Sequence, residues 1–226
     1  MITPDAGSGA VVPIVSSSDV TKAVVKPYGP PTLSITPDIH RQGISSPTDN
    51  KKYSGFIYSD GVTPFQLTNL DNGKIYGGTV TISAGASTTG KADLIEGGPA
   101  MTIPAGGYNL DADLTDLNNI KLTLVDKTLC IIGDAASGWG TDIKMHWNFS
   151  EHSWEYTINL VPGGLKFRTF GDWNNGFNLG YDTSPSLDNL LNASTSGNIT
   201  GFVGNYNIHV FTGSTPIKAS ILPVSK

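Results

Sequence analysis

Four tryptophans, Trp139, Trp147, Trp154 and Trp173, all fall in one stretch, Gly133 to Asn175. An indole plane serves a protein in two ways: it fills a core, or it stacks on the apolar face of a ligand. Local sequence separates the two uses here. Trp139 sits in GDAASGWG and Trp173 in GDWNN, both rich in turn-forming residues. Trp147 in IKMHWNF and Trp154 in SWEYTINL sit instead in alternating apolar–polar patterns. Those are half-buried strands, so Trp147 and Trp154 are expected in a core. Trp139 and Trp173 are expected to be free for a ligand; the competing reading is that they cap the ends of a sandwich.

Polar partners lie nearby. In LKFRTF, Leu165 and Phe167 alternate with Lys166 and Arg168, so the two cations are expected to point away from the core. Asn174, Asn175 and Asn198 are amides in the adjoining loops. Sugars present C–H faces bordered by hydroxyls, which aromatic planes and charged or amide groups complement. Trp139, Trp173, Lys166, Arg168, Asn174 and Asn198 are therefore the candidate carbohydrate site.

Other chemistry finds less support. Asp134, Asp172, Asp182 and Glu155 show no spacing that defines an acid–base pair. His40, His146, His152 and His209 form no paired metal-binding pattern, and His146 and His209 read as solvated strand residues. No nucleophile elbow or phosphate loop is present, and GDAASGWG lies between two strands rather than at a helix start. The expectation is a non-enzyme with no cofactor and no metal. The single cysteine, Cys130 in TLCIIG, reads as a small buried hydrophobe and excludes a disulfide framework.

Composition points to short strands and many turns: 27 glycines and 14 prolines stand beside only 15% charged residues. A net charge of −5 gives no basic surface for nucleic acid. No apolar run reaches the about 20 residues of a membrane-spanning helix. The opening MITPDAGSGAVVPIV lacks a basic start and carries Pro and Asp early, so it does not read as a signal peptide. The chain is expected to be cytosolic, or a trimmed form of an exported protein.

Residues 1–50, rich in Pro, Ser, Gly and Thr, read as an irregular segment or linker, with KPYGPPTLSITPD as a linker or irregular edge strand. Strand patterns begin near Tyr53 with YSGFIYSDG and TPFQLTNLDNGKIYGG. ASTTGKADLIEGGP reads as polar and turn-rich, and Tyr108, Leu110 and Ala112 then alternate in a strand. GDWNNGFNLGYDTSPSLDNLLNASTSG reads as a long polar loop, with one helical turn around Leu187–Leu191. IPAGGYNLDADLTDLNNIKLTLV resembles FVGNYNIHVFTGSTPIKASILPV, and FQLTNLDNGKIYGG loosely matches WEYTINLVPGGLKFRT. The expected fold is all-β: two tandem β-sandwich domains, Ig-like or carbohydrate-binding-module in type, over 51–126 and 127–226.

The second of these resembles the starch-binding domains of the SusE/SusF outer-membrane lipoproteins of Bacteroidetes. GDAASGW, WEYTINLVPGGLKFRT, GDW, GNIT and GNYNIHVF carry the likeness, in that order, over about residues 127–226. The order is also similar to the glycogen-binding module of AMP-activated kinase β-subunits. The resemblance implies a sugar platform of Trp139 and Trp173 with Lys166 and Asn198 as hydrogen-bonding partners; Arg168 and Asn174 join by proximity. It implies α-glucan, either starch or maltooligosaccharide, as ligand, other outer-membrane glycan-uptake proteins as partners, and a lipid-anchored place on the cell outer membrane. Two departures stand out. The first domain resembles a degenerate copy without tryptophan and is expected not to bind sugar, and the N-terminal stretch holds no lipid-bearing cysteine. A structural spacer or protein-binding module is the alternative function.

Overall fold

The computed structural model describes residues 30–37, 42–83 and 88–225. These form strands only. The first unit holds β1 (Thr32–Thr36), β2 (Gly43–Ser45), β3 (Lys52–Ser59), β4 (Gln66–Asn69), β5 (Ile75–Gly77), β6 (Thr81–Ser83), β7 (Thr89–Glu96), β8 (Gly106–Asp113) and β9 (Ile120–Asp126). The second holds β10 (Leu129–Gly133), β11 (Gly138–Lys144), β12 (His146–Asn148), β13 (Ser153–Leu160), β14 (Lys166–Thr169), β15 (Asn178–Tyr181), β16 (Leu190–Asn192), β17 (Gly204–Phe211) and β18 (Lys218–Pro223). Among the described residues no helix is long and apolar enough to cross a membrane.

The chain is all-β, as its turn-rich composition predicts, but the first unit is not a sandwich. Its strands run β5-β4-β1-β2-β3-β8-β9-β7, and a β5–β7 pairing joins the two ends into a closed eight-stranded barrel, with β6 attached to β7. Closure leaves the barrel strands no free edge. The interior is lined by residues such as Leu33, Ile44, Ile57, Leu67, Tyr76, Leu110 and Leu124. In the second unit a five-stranded sheet, β11-β10-β14-β15-β16, and a four-stranded sheet, β12-β13-β17-β18, share one core around Ile131, Phe167, Leu179, Trp154 and Ile208.

The expected boundaries shift accordingly. TLSIT is no linker: it is the inner strand β1, paired with both β2 and β4. Residues 1–29 and 38–41 of the expected irregular segment lie outside the described residues. The supposed turn-rich stretch contains β7, whose inward positions are the small Gly90 and Ala92 and the larger Leu94. A Cβ on Gly90 would come 2.7 Å from Ile82 and 2.8 Å from Leu124, so a larger residue there would push those side chains aside. Small residues hide an alternation that larger ones would display. Residues Leu190–Asn192 form β16 rather than a helical turn, pairing with β15.

Both units follow one topology. Ile57 faces Tyr108 across β3 and β8, as Ile158 faces Tyr206 across β13 and β17. Leu67 pairs with Tyr76 as Phe167 pairs with Leu179, and the isolated bridge Phe65↔Met101 has its counterpart in Leu165↔Ile199. FQLT therefore corresponds to LKFRT, and YSGFIY to WEYTIN, a different register from the one the sequence suggests. The closing strand differs between the two units. β7 is 8 residues long and pairs with β9 from Thr89↔Val125 to Leu94↔Ile120. Its counterpart β16 has 3 residues and pairs with β15. Among the described residues only two backbone bonds, Leu190 N–H to the Ile217 carbonyl at 2.8 Å and Ala219 N–H to the Leu187 carbonyl at 2.7 Å, reach toward β18.

An aromatic seam joins the units. Phe56 meets Trp147 and Trp154 edge-on at centroid distances of 6.2 and 6.0 Å, and Tyr58 meets Trp154 at 6.3 Å. Trp154 is buried as expected, whereas Trp147 is half-buried beside this seam. Gly107 makes the approach tight: a Cβ there would stand 2.5 Å from Phe56 and 2.6 Å from Trp154. Gly107→Ala should cost about 1–3 kcal/mol through overpacking of rigid rings. Calorimetric unfolding checks it, and an unchanged melt would mean that the seam is looser than described.

Candidate functional site

The site grows from the outer face of the five-stranded sheet. Cys130 pairs with Arg168 on one side and with Lys144 on the other, so these side chains share a face. The opposite face, with Ile131, Phe167 and Leu179, lines the core. Alternation thus puts Lys166 and Arg168 on the face away from the core, as the sequence implies. They are nevertheless buried, at 6% and 8% exposure. The expectation that they reach solvent is corrected: loop 170–177 and the 193–198 segment lie across them.

Charge holds that loop down. Arg168 Nε and Nη2 donate to the two carboxylate oxygens of Asp142 at 2.7 and 2.8 Å, a bidentate pair. The Gly171 N–H donates to the same Asp142 at 3.0 Å. Two aromatic residues of the loop then cover two cations of the sheet. Phe170 lies 4.0 Å from Lys144 Nζ, and Trp173 lies 4.4 Å from the Arg168 guanidinium. Lys144 is neutralised by Asp126, at 2.6 Å, in the junction between the units. The Asp172 carboxylate accepts the N–H groups of Asn174 and Asn175 and so shapes the tip of the loop. Those bonds hold the Asp172 carboxyl below its ordinary value.

The second indole comes from the other side. Gly138 takes φ 83° at the start of β11, which lets the chain turn and present Trp139. The Trp139 Nε1–H donates to Asp134 at 2.9 Å, which fixes the ring. Trp139 is 37% exposed, and its centroid stands 6.5 Å from that of Trp173 with 35° between the planes. Trp139 is thus on a strand, β11, and not on the loop its sequence suggests, and with Trp173 of loop 170–177 it forms one tilted pair. Arg168 packs against the Trp173 ring, which stays half-exposed.

The remaining candidates divide. Asn174 and Asn198 are exposed. Asn198 packs against Gly164, whose carbonyl accepts the N–H of Ala135, next to the Asp134 that holds Trp139. Lys166 Nζ donates to the Ser196 carbonyl at 3.0 Å and lies 5.8 Å from the Trp173 ring. Burial depresses the Lys166 ammonium below the ordinary lysine value. Sequence reasoning missed the carboxylates Asp134, Asp142 and Asp172, which position the set. The spacing GD-x4-W and the repeated GD before Trp173 were the available signal.

Away from this site, the structure brings together side chains that looked scattered. His209 Nδ1 lies 3.3 Å from Glu151 and 3.2 Å from Glu155. Those three could hold a cation, but Asn148 and Ser153 also donate to Glu155, so the group is already satisfied as an internal network. Its neighbour His146 stacks on Tyr156 and bonds the Tyr58 hydroxyl at 3.2 Å. Cys130 is fully buried, and burial pushes its thiol up, away from reactivity.

Comparison with protein-family models, with curated proteins and with solved structures finds no match. The site therefore rests on its own geometry, and the ion pair beneath Trp173 is the test of that geometry. Asp142→Ala should destabilise the second unit by about 3–5 kcal/mol, because it leaves Arg168 buried without its counter-ion. Chemical denaturation with tryptophan fluorescence checks it. A variant as stable as the parent would mean that the loop is held by other contacts.

Proposed function

We propose that this chain binds polysaccharide without catalysis, and that the second unit captures α-glucan, as starch or maltooligosaccharide, at the cell surface. One observation carries the reading: an indole near the start of β11 and a second on loop 170–177, tilted at 35° and 6.5 Å apart, with Trp173 backed by a fixed guanidinium. Both rings are held before any ligand arrives, Trp139 by Asp134 and Trp173 by Arg168, so little side-chain entropy remains to be lost on binding. A tilted pair complements a chain that curves, as α-linked glucose does, better than a flat ribbon. The exposed amides of Asn174 and Asn198 supply hydrogen bonds at the rim.

In this reading the second unit is a carbohydrate-module sandwich and the first its degenerate copy. The first unit has Thr68 where the second has Arg168, Gly43 where it has Lys144, and the short turn Leu70–Lys74 where it has the FGDW loop. It keeps the backbone anchor of that loop, Leu70 N–H to the Thr32 carbonyl at 3.1 Å, matching Phe170 N–H to Thr128 at 2.9 Å. What it lacks is the cations and the rings. A lipid anchor in the outer membrane, and cooperation with other glycan-uptake proteins, complete the proposal.

Affinity electrophoresis in soluble starch should retard the chain, and calorimetric titration with maltoheptaose should report modest affinity. Trp139→Ala and Trp173→Ala should each weaken binding about tenfold or more, since a lost stacking contact costs about 1–3 kcal/mol by analogy with stacked bases. Trp154→Ala should instead lower the melting temperature, through the cavity left in the core. An absence of retardation across a glycan panel favours the protein-binding alternative. If Trp139→Ala binds like the parent but unfolds early, Trp139 is a packing residue.

A further inference from the structure

Two hydrogen bonds, one in each unit, occupy the same place in the shared topology. Gln66 follows Phe65, the residue that bridges Met101, and its Nε2 donates to the Gly98 carbonyl at 2.6 Å. Lys166 follows Leu165, the residue that bridges Ile199, and its Nζ donates to the Ser196 carbonyl at 3.0 Å. In both cases the accepting carbonyl lies three residues before the bridging residue. The glycines opposite agree as well. A Cβ on Gly77 would strike the Pro99 carbonyl, and one on Gly180 would strike the Gly197 carbonyl. The same backbone segment thus crosses the same strand pair at the same close range twice.

We propose that Lys166 is a positioning residue: its ammonium is a strut that pins the Ser196–Asn198 turn to β14, and it does not itself bond the glycan. The proposal rests on the glycan-binding reading of the second unit. Its ground is internal comparison. The first unit has no indole pair and still makes this bond, with a neutral amide, so the bond belongs to the fold of the module rather than to ligand capture. In the second unit the donor is buried beneath Trp173 and, among the described residues, has no ion-pair partner. Desolvation of that lone charge is visible in its depressed pKa.

The strut has something to hold. The turn that it pins continues through Gly197, which exchanges two backbone bonds with Tyr181 at 2.7 and 2.8 Å, to Asn198 and then to Ile199, bonded to Leu165. Asn198 in turn packs on Gly164 beside the Asp134–Trp139 pair. Releasing the Ser196 carbonyl would therefore move the exposed amide relative to the rings and leave a buried acceptor unpaired.

Three variants separate this role from direct contact. Lys166→Gln, copying the first unit, should bind maltoheptaose within about threefold of the parent and melt no lower, because the bond survives and the buried charge is gone. Lys166→Met should lose affinity about tenfold and speed hydrogen exchange at the Gly197 and Ile199 amides, because the strut is gone. Gln66→Met should lower the melting temperature of the first unit and leave glycan affinity unchanged. A tenfold loss in Lys166→Gln with an unchanged melt would show that the ammonium touches the ligand and overturn the proposal. Parent-like binding and exchange in Lys166→Met would overturn it from the other side. If the parent itself shows no affinity, the glycan reading fails, and unchanged exchange in Lys166→Met would then remove the strut as well.

Discussion

The buried pair between Asp142 and Arg168 is the interaction on which the site depends. Both groups lose water, so each needs the other. The bidentate geometry holds the guanidinium flat, and a flat cation is a surface on which an indole can rest. Asp142 also accepts the Gly171 N–H and so fixes the start of the loop that carries Trp173. One carboxylate therefore sets the position of the cation, the course of the loop and the orientation of the ring. Lys144, Asp126 and Phe170 repeat the device across β10, two strands away.

The first unit shows what the module becomes without that device. Its strands pair in the same order and its hairpins close at the same places. With Thr68 and Gly43 in place of the cations, nothing calls for aromatic cover, and the hairpin between β4 and β5 contracts. Extending β7 then ties β5 to β9 and closes the sheet. A closed barrel and a pair of facing sheets are thus built here on one strand order.

The aromatic seam makes the two units neighbours in more than sequence. Phe56 and Tyr58 stand on the strand of the first unit that corresponds to β13, the strand that bears Trp154 in the second. Equivalent strands thus meet through their rings, and Gly107 allows the contact. Asp126 and Thr128 lie buried at the same junction, with Asp126 accepting from the Thr128 N–H and hydroxyl and from Lys144. The charge network beneath the candidate site is in this way continuous with the hinge between units.

Sequence alone determined the all-β class, the repeat of the closing strand pair, the burial of Trp154 and Cys130, and the loop position of Trp173, but not that of Trp139, which stands on β11. Those features are local: alternation, turn residues and composition express them within a few residues. What only the tertiary structure decided is non-local. Whether β7 reaches β9 depends on partners distant in the chain, and small inward residues such as Gly90 and Ala92 mute its pattern. Alternation correctly assigned Lys166 and Arg168 to the outer face, yet it could not say that a later loop covers that face. The 35° between Trp139 and Trp173 follows from Asp134, Gly138, Arg168 and Asp142 acting together, since a ring's angle is set by whatever packs behind it.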